Sequence, residues 1–517
     1  MPTLFKALAY QPSELKFGTS GLRGLVTEMT DLECYINTVG FLKYLASIDH
    51  IKPGGSVYLA GDLRDSTPRI MRAVHQAIID GGYQSVNCGF IPTPAVALLG
   101  LQKHAPSIMV TGSHIPADRN GIKFNRADGE VLKADELGIK EAVAIVRDEL
   151  YGRELAESHF DEQGMFTAPS ELPEETTEAQ DKYIERHVDA FGAQAFAGKK
   201  IVFYQHSAVG RDLLVDILQK LGAEVVPVGR TDIFVPIDTE NVTPKDHAYF
   251  KQLSVENPGI FAVASTDGDS DRPFLIDEHG VFHRGDELGA VVAHWFKADA
   301  AAYPVSSSDA VDTYLTDNNV TWMHTRIGSP YVISAMQEEA AKGKQRVVGW
   351  EVNGGFMLGA DMNVGDKTLE ALPTRDALMP IIVAMKAAID AGVTLSELFE
   401  GLPKRYTEAG LIDNFPTEVS ARIIEKFSDN TPEVYQALGA FFTAEHNFGA
   451  VTKIDSLDGV RIFFDNGEIA HLRPSGNAPQ LRIYSVADSQ ERAEEIVALA
   501  IAEPNGIFRR IENELIG

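Results

Sequence analysis

Three aspartates stand at alternate positions in the segment DGDSDR, which directly follows the apolar stretch GIFAVAST. In an extended loop, side chains two residues apart face the same way, so we expect the carboxylates of Asp267, Asp269 and Asp271 to point together. Carboxylates without His or Cys are typical of a site for a hard cation, Mg²⁺ rather than Zn²⁺. Arg272 could bind a phosphate bridged to that metal. The alternative is a solvated acidic turn, because Asp-Gly is common in turns.

A serine follows a second short apolar stretch, SIMVT, near the start of TGSHIPADRNGIKF. Ser113 is predicted to lie at the carboxyl end of that strand, where open α/β sheets bind their ligands. Gly112 permits a close approach of the backbone, and His114 and Lys123 add basic groups near the hydroxyl. A serine in this setting can act as a nucleophile or carry a phosphoryl group. A polar Ser-His turn is the alternative interpretation.

The segment GWEVNGGF follows a third predicted strand. Glu351 and Asn353 stand two residues apart and would face one side, where they offer an acceptor and donors to adjacent sugar hydroxyls. Glycines on both sides allow a ligand to approach the backbone. A glycine-rich turn without a ligand is the alternative.

The segment RPSGNAPQLRIY has the composition of an anion-binding turn between two strands. An arginine there can hold a phosphate with a bidentate fork, and the amides around the glycine can form a nest for an anion. A plain Pro-Gly turn is the alternative. The N-terminal segment FGTSGLRG has a similar composition, with Arg23 as its cation. In RPSGNAPQLRIY, the candidate residues for holding the anion are Arg473, Ser475, Gly476 and Asn477.

The elements that would position these residues alternate between strands and helices, which is typical of α/β domains. Strands are predicted at 56–62 and 199–205, each followed by an amphipathic helix that ends at glycine, at 67–82 and 210–222. The pattern begins a third time with a helix at 286–298. We therefore expect three similar α/β domains.

The C-terminal part differs, because 460–473 is predicted to be a hairpin with Asn466-Gly467 in its turn, and 490–503 an amphipathic helix. This pattern indicates an antiparallel α+β domain. The acidic, proline-containing stretch 161–176 is the clearest predicted linker. Thr177 and Gln180 then form a candidate capping box for the following helix.

Composition limits the classes of protein that remain. The chain has 517 residues, enough for three to four domains, and a formal charge of −28. The excess of acidic residues argues against binding to nucleic acid or to anionic membranes. Cys34 and Cys88 cannot build a disulfide framework, so we expect a reducing compartment. We find neither an apolar run of ~18 residues nor a secretory signal, so we expect a cytoplasmic protein.

Taken together, the five segments resemble the α-D-phosphohexomutase family, the phosphoglucomutases and phosphomannomutases, over essentially the whole chain. FGTSGLRG resembles the N-terminal motif, TGSHIPADRNGIKF the phosphoserine loop, DGDSDR the metal loop, GWEVNGGF the sugar loop and RPSGNAPQLRIY the phosphate-binding loop, in the family's order. The resemblance implies three α/β domains with mixed sheets and a C-terminal α+β domain around a central cleft. The expected limits of these domains are 1–165, 175–279, 280–400 and 401–517.

The resemblance also implies a mechanism. Ser113 would carry a phosphoryl group and donate it to a hexose phosphate, giving a hexose 1,6-bisphosphate that returns its other phosphate to Ser113. Mg²⁺ would be held by Asp267, Asp269, Asp271 and an oxygen of phospho-Ser113. Lys123, helped by His114, is the candidate for proton handling. Arg23, Lys123 and Arg272 would position the phosphoryl group, Glu351 and Asn353 would bind sugar hydroxyls, and Arg473, Ser475, Gly476 and Asn477 would hold the nonreacting phosphate.

Several residues depart from the family's pattern. Ile115 stands where the family usually has Asn, and Asn477-Ala478 where it has Thr-Glu. In the sugar loop, Asn353 takes the place of a serine, and the usual Gly-His becomes Gly355-Phe356. The stretch Thr325–Ser329 lies where some bacterial members place a basic His.

The overall pattern, with LPTRDA and LPKRYT, is most like bacterial phosphomannomutases, so mannose phosphate is the expected substrate. Glucose phosphate, or both sugars, is the alternative. A phosphotransferase with an aspartate nucleophile would not need the serine loop or the arginine loop. A catalytically silent sugar-phosphate-binding relative would be expected to lack Ser113 or one of the aspartates. The expected partner is a small hexose phosphate, and the expected assembly is a monomer or homodimer.

Overall fold

The computed structural model describes residues 2–18, 21–475 and 479–516. The chain forms two compact units. The first runs to Ala301 and takes in Gly328–Leu398, and the second consists of Ala302–Ile327 and the chain from Phe399 onward. No helix in the described part of the chain is both long and apolar enough to cross a membrane.

The N-terminal elements build a mixed sheet flanked by helices. The strand order is β1-β2-β6-β5-β3-β4, with β7 beside β6. Strand β3 is parallel to β4 and β5, whereas β6 is antiparallel to both β5 and β2. Phe41 stacks on Phe124 of the sheet, with ring centroids 4.3 Å apart. The elements are α1 Leu4–Ala7, β1 Lys16–Phe17, β2 Gly21–Leu25, α2 Asp31–Ser47, β3 Ser56–Gly61, α3 Thr67–Asp80, β4 Gln84–Phe90, α4 Thr93–Gln102, β5 Ser107–Val110, β6 Arg119–Arg126, β7 Gly129–Glu130 and α5 Glu136–Gly152, followed by a 3₁₀ helix at Leu155–Glu157.

The predicted linker 161–176 is bound to this first sheet and its helices. Phe166 packs against the first core, and Thr176 N donates to Asn87 O at 2.9 Å. The side-chain amide of Asn87 in turn donates to Pro173 O at 2.9 Å. The connection to the next elements is therefore an anchored segment.

The next elements form a second mixed sheet of order β12-β11-β10-β8-β9. Strand β10 is parallel to β8 and antiparallel to β11. The capping box predicted at Thr177 and Gln180 is wrong: the Thr177 backbone is already helical, and its hydroxyl donates to Asp181 Oδ2 at 2.8 Å. A capping box occurs instead at Thr243 and Asp246. The elements are α6 Glu178–Phe191, β8 Lys200–Tyr204, α7 Leu213–Lys220, β9 Glu224–Val228, α8 Pro244–Glu256, β10 Ala262–Thr266, β11 Pro273–Ile276 and β12 Phe282–His283.

The third group of elements again alternates, and its strands divide between the two units. In the first unit, β15, β16 and β19 are neighbours in that order and antiparallel, and β17 and β18 form a hairpin. Helix α12 is buried over residues 378–385 and at Ala387 and Ala388. The elements are α9 Gly285–Trp295, β13 Ala300–Pro304, α10 Asp309–Asp317, β14 Thr321–Thr325, α11 Ser329–Ala341, β15 Val347–Trp350, β16 Phe356–Leu358, β17 Met362–Val364, β18 Lys367–Leu369, β19 Leu372–Asp376, α12 Leu378–Ala391 and α13 Leu395–Glu400.

The C-terminal elements form an antiparallel sheet of order β20-β24-β23-β22-β21, covered by helices. The predicted hairpin is present, with Phe463 opposite Ile469 and Gly467 in the left-handed region at φ +83° in its turn. The elements are β20 Tyr406–Asp413, α14 Thr417–Phe427, α15 Pro432–Gly439, a 3₁₀ helix at Ala444–His446, β21 Val451–Asp455, β22 Val460–Phe464, β23 Ile469–Pro474, β24 Gln480–Ala487, α16 Gln490–Ile501 and α17 Ile507–Ile516.

Candidate active site

The serine loop, residues 111–118 between β5 and β6, presents a buried hydroxyl. Ser113 is 1% exposed, and its Oγ donates to Asp267 Oδ2 at 2.6 Å. His114 Nδ1 lies 3.4 Å from the same Oγ. The Ser113 backbone has φ +55°, in the left-handed region that non-glycine residues rarely adopt. Such strain is often found at functional sites.

The metal loop, residues 267–272 after β10, brings its three aspartates together by a tight turn. Ser270 has φ +59°, its N donates to Asp267 O, and Asp267 N donates to Arg272 O at 3.0 Å. The expectation of an extended loop is therefore wrong, although the predicted convergence of the carboxylates is observed. All three are fully buried, and one oxygen from each lies within 4.8 Å of the others. The three residues are Asp267, Asp269 and Asp271.

Lys123, on β6, is the cation nearest to these carboxylates. Its Nζ donates to Asp269 Oδ2 and to Asp271 Oδ2, each at 2.5 Å. Asp269 Oδ2 also accepts from Thr93 Oγ1 at 2.5 Å. Within the described residues, the second oxygens, Asp269 Oδ1 and Asp271 Oδ1, are buried and accept no hydrogen bond. Buried carboxylate oxygens without donors are suited to a hard cation.

Burial and neighbouring charges shift the pKa values of the site's groups in different directions. Burial, together with the nearby Asp269 and Asp271 carboxylates, raises the pKa of Asp267 well above its usual range. Burial acts to raise the pKa of Asp269, but Lys123, Thr93 and Arg375 together lower it. Burial, followed by the cations Arg272 and Arg23, lowers the pKa of His114. The imidazole is therefore neutral in this surrounding.

Two arginines predicted from the sequence lie at the same site. The Arg272 guanidinium has Nε 3.8 Å from Asp271 Oδ1 and 4.0 Å from Asp267 Oδ2. Arg23, on β2, has an exposed side chain. Partial desolvation by the surrounding protein, and then the cations Arg272 and Arg375, lower the pKa of Arg23 to about 10. A cation that other cations destabilise is well placed to receive an anion.

The sugar loop, residues 351–355 after β15, is connected to the metal loop by an arginine that sequence reasoning missed. Arg375 Nη1 donates to Glu351 Oε2 at 2.9 Å, and Arg375 Nε lies 3.1 Å from Asp271 Oδ2. The segment LPTRDA contains Arg375, but its resemblance to bacterial phosphomannomutases assigns this residue no role. No local pattern indicates that its guanidinium reaches two loops distant in sequence.

Asn353 has different neighbours from Glu351. Its Nδ2 donates to Glu240 Oε1 at 3.2 Å, and its backbone oxygen accepts from Thr239 Oγ1 at 2.8 Å. Asn353 Oδ1 accepts from Gly355 N, which closes a turn. Thr239 and Glu240 were not predicted, because the loop after β9 carries no recognisable motif. Glu351 and Asn353 therefore have separate partners, and their expected role as a pair that binds sugar hydroxyls stays a prediction.

The fifth predicted segment lies in the second unit. Arg473 Nε donates to Asp458 Oδ2 at 3.0 Å, and Ser475 N donates to Gln480 O at 2.9 Å. The other two predicted phosphate ligands, Gly476 and Asn477, lie outside the described residues. In FGTSGLRG, residues 19–20 also lie outside them.

Models of known protein families match this chain over most of its length. Models of domains I, II and III of phosphoglucomutase/phosphomannomutase match residues 14–148, 181–280 and 284–406, and the model of the C-terminal domain matches 426–503. A Sinorhizobium fredii protein named phosphomannomutase is 39% identical over 95% of this chain and 98% of its own length. The chain belongs to the phosphoglucomutase/phosphomannomutase family. It is a phosphomutase, an isomerase, and the predicted family and fold class are confirmed.

Other members of the phosphoglucomutase/phosphomannomutase family extend the comparison. A Salmonella muenchen protein named phosphomannomutase is 39% identical over 95% of each chain. A Thermus thermophilus structure described as a phosphomannomutase covers 98% of this chain and all of its own, with a TM-score of 0.69 and 19% identity. An Aspergillus fumigatus N-acetylphosphoglucosamine mutase, solved with GlcNAc-6P and magnesium, has a TM-score of 0.52 and 13% identity, covering 92% and 85%. The structures share the fold.

Proposed function

We propose that the chain interconverts mannose 1-phosphate and mannose 6-phosphate through phospho-Ser113 and a hexose 1,6-bisphosphate. The observation that carries this proposal is the position of the Ser113 hydroxyl, buried and 2.6 Å from Asp267 Oδ2. An oxygen there is close to a cluster of carboxylates and to the basic groups of His114 and Lys123. Such a setting suits a serine that accepts and donates phosphoryl groups.

The residues of the metal loop fit Mg²⁺. They supply only oxygen, they converge within 4.8 Å, and Asp269 Oδ1 and Asp271 Oδ1 are buried without donors in the described structure. Asp267, Asp269 and Asp271, with an oxygen of phospho-Ser113, would hold the ion. When bound, Mg²⁺ neutralises charge on the phosphoryl oxygens during transfer.

Phosphoryl transfer is proposed to run in two steps, from Ser113 to the sugar phosphate and from the bisphosphate back to Ser113. The P–O bond of phospho-Ser113 breaks as a bond forms to the free hydroxyl oxygen of the sugar phosphate. Lys123 gives a proton to the departing Ser113 oxygen and takes up the proton of the attacking hydroxyl, with the neutral imidazole of His114 beside it. The bisphosphate then turns over, and its other phosphoryl group returns to Ser113. Arg23, Lys123 and Arg272 orient the transferring group by charge-assisted hydrogen bonds.

The remaining proposed contacts concern the nonreacting parts of the substrate. Glu351 and Asn353 are proposed to bind sugar hydroxyls, because both are buried polar side chains next to a glycine-rich turn. The nonreacting phosphate is assigned to the arginine loop of the C-terminal domain. That loop contributes Arg473, Ser475, Gly476 and Asn477.

Mannose is the proposed sugar because both relatives at 39% identity are named phosphomannomutase. The similarity spans the sugar loop as well as the serine and metal loops.

The domain limits 1–165, 175–279, 280–400 and 401–517 stay proposals. A cytoplasmic location, a monomer or homodimer, and a hexose 1,6-bisphosphate activator also stay predictions.

A coupled assay of purified protein tests the proposal. Mannose 1-phosphate and glucose 1-phosphate are supplied separately with Mg²⁺ and a catalytic amount of glucose 1,6-bisphosphate, and the 6-phosphates are measured. We expect a higher kcat/KM for mannose 1-phosphate. A higher value for glucose 1-phosphate contradicts the choice of sugar, and no conversion of either contradicts the whole proposal.

A further inference from the structure

One buried arginine outside all five motifs, Arg64, holds the backbone of the serine loop. Arg64 lies between β3 and α3 and is 2% exposed. Its guanidinium donates to four backbone oxygens around and beyond the reactive serine. The acceptors are Ser113 O at 2.9 Å, Ile115 O at 2.6 Å, Pro116 O at 2.7 Å and Arg119 O at 2.8 Å.

The amide side of Ser113 is fixed by the same group of side chains. Arg64 Nε donates to Asp62 Oδ2 at 3.2 Å, and this oxygen also accepts from Thr111 Oγ1 at 2.7 Å. Thr111 Oγ1 in turn accepts from Ser113 N at 2.8 Å. The amide and the carbonyl of Ser113 are therefore both connected to one buried ion pair. A non-glycine residue keeps a left-handed backbone only where surrounding contacts hold it there. The hydrogen bonds to the amide and the carbonyl of Ser113 supply such contacts.

The face of the guanidinium reaches toward the metal loop. Arg64 Cζ lies 3.9 Å from the ring centroid of Phe234, in the loop after β9. The ring also borders Gly268, where a Cβ atom would lie 3.0 Å from the ring and 2.7 Å from Ser113 O. Arg64 and Phe234 thus form a continuous contact from the serine loop to the metal loop. A Cβ at Gly112 would lie 2.6 Å from Arg64 Cζ, which explains the glycine there.

We propose that Arg64, with Asp62 and Phe234, is a positioning residue that holds Ser113 in register with the metal loop for phosphoryl transfer. The inference rests on the proposed role of Ser113 as phosphoryl carrier. Arg64 touches no reacting atom, so its effect is on geometry. A misplacement of about 1 Å can cost on the order of 10²-fold in rate. Lysine keeps the charge but cannot reproduce a planar fork that binds four oxygens and stacks on a ring.

The first test compares Arg64→Lys with Arg69→Lys. Arg69 is a matched control, because it also bonds a carboxylate, Asp31 at 2.7 Å, and a backbone oxygen, Met29 O at 2.8 Å, away from the serine loop. We expect Arg64→Lys to lower kcat by on the order of 10²-fold with KM for mannose 1-phosphate within about twofold. We expect Arg69→Lys to keep the wild-type kcat. Equal kcat values for Arg64→Lys and wild type overturn the proposal.

Hydrogen–deuterium exchange separates this inference from the proposed function. In Arg64→Lys, the amides of the serine loop should exchange faster by about tenfold or more, while those of α3 keep wild-type protection. Unchanged exchange of the loop overturns the positioning role. If the wild type converts neither sugar phosphate, the proposed function fails, and the exchange result alone decides whether Arg64 fixes the loop.

A second variant covers the case in which Arg64→Lys does not fold. Phe234→Leu removes the ring under the guanidinium and leaves every hydrogen bond of Arg64 in place. We expect kcat to fall by about tenfold with KM unchanged, because the guanidinium loses the contact that fixes its position against the metal loop. A wild-type kcat in Phe234→Leu overturns the link between Arg64 and the metal loop.

Discussion

The Arg375 guanidinium donates from Nη1 to Oε2 of Glu351 at 2.9 Å, and both side chains are buried. Arg375 Nε also lies 3.1 Å from Asp271 Oδ2. Although burial favours the neutral form, Asp271 and Glu351 hold the pKa of Arg375 well above its usual range. One permanent cation therefore compensates a carboxylate of the sugar loop and one of the metal loop.

Arg375→Gln is expected to destabilise the protein and weaken substrate binding. Removal of one partner leaves a buried carboxylate uncompensated, which costs about 3 kcal/mol and lowers the unfolding midpoint by roughly 5 °C or more. KM for mannose 1-phosphate should rise, because Glu351 loses its orientation. Scanning calorimetry and the coupled assay measure the two effects.

The double variant Arg375→Gln, Glu351→Gln supplies the control. It removes both charges of the pair, so its unfolding midpoint should recover part of the loss. Arg126→Gln, which removes a partly buried pair with Asp135, gives the effect of an unrelated arginine. Additive effects of the two substitutions at Arg375 and Glu351 contradict the coupling.

Ser113→Ala is expected to lower turnover by at least about 10³-fold while the unfolding midpoint changes little, because the variant loses the proposed phosphoryl carrier. Mass spectrometry after incubation with a hexose bisphosphate should find no phosphate on the variant's serine loop. Ser107→Ala is the matched control, since Ser107 begins β5, the strand that leads into the serine loop, and its hydroxyl accepts from Asn125 Nδ2. Near-normal turnover in Ser113→Ala rejects the phosphoryl carrier.

The serine loop and the metal loop could be predicted because each follows a buried strand and carries its chemistry within a few residues. The sequence also predicted that the three aspartates converge, but for a different reason, since the tight turn at Ser270 replaces the expected extended loop. Local spacing decides which residues share a loop. It does not decide the backbone conformation of that loop.

Arg64, Arg375 and Glu240 could not be predicted, because their roles depend on contacts between segments distant in sequence. Arg64 lies 49 residues before Ser113 in the chain, and it meets the serine loop because β3 and β5 are neighbouring parallel strands. Arg375 reaches Asp271 across more than a hundred residues. The local sequence around a single arginine does not show which distant residue its side chain will contact.

Asp269→Asn is expected to raise the Mg²⁺ concentration that gives half-maximal activity. The change removes one of the three proposed carboxylate ligands, so the increase should exceed the ~10-fold caused by loss of a supporting partner. The measurement is an Mg²⁺ titration of protein first treated with chelator, followed by activity. Asp212→Asn is the control, because that carboxylate pairs with Arg230 at the surface. An unchanged titration curve contradicts the metal assignment.

Because the imidazole of His471, on β23, is buried, part of the protein's stability should depend on pH. Its Nε2 lies 2.6 Å from Asp458 O, so Nε2 carries the proton, and Nδ1 is buried without a partner in the described chain. Burial lowers the pKa of His471 to about 4, with Arg461 and Arg473 acting in the same direction and the contacts to Asp458 opposing them.

The folded state thus disfavours the protonated imidazole, whereas the unfolded chain binds a proton near pH 6.5. The stability that depends on neutral His471 is complete above about pH 6.5 and is lost as pH falls toward 4, in total about 3 kcal/mol. His471→Gln keeps a donor for Asp458 O but cannot titrate. Its unfolding midpoint should therefore fall less than that of the wild type between pH 7 and 4.5. His279→Gln, at an exposed position, should reproduce the wild-type slope. Parallel curves for His471→Gln and wild type contradict the buried neutral histidine.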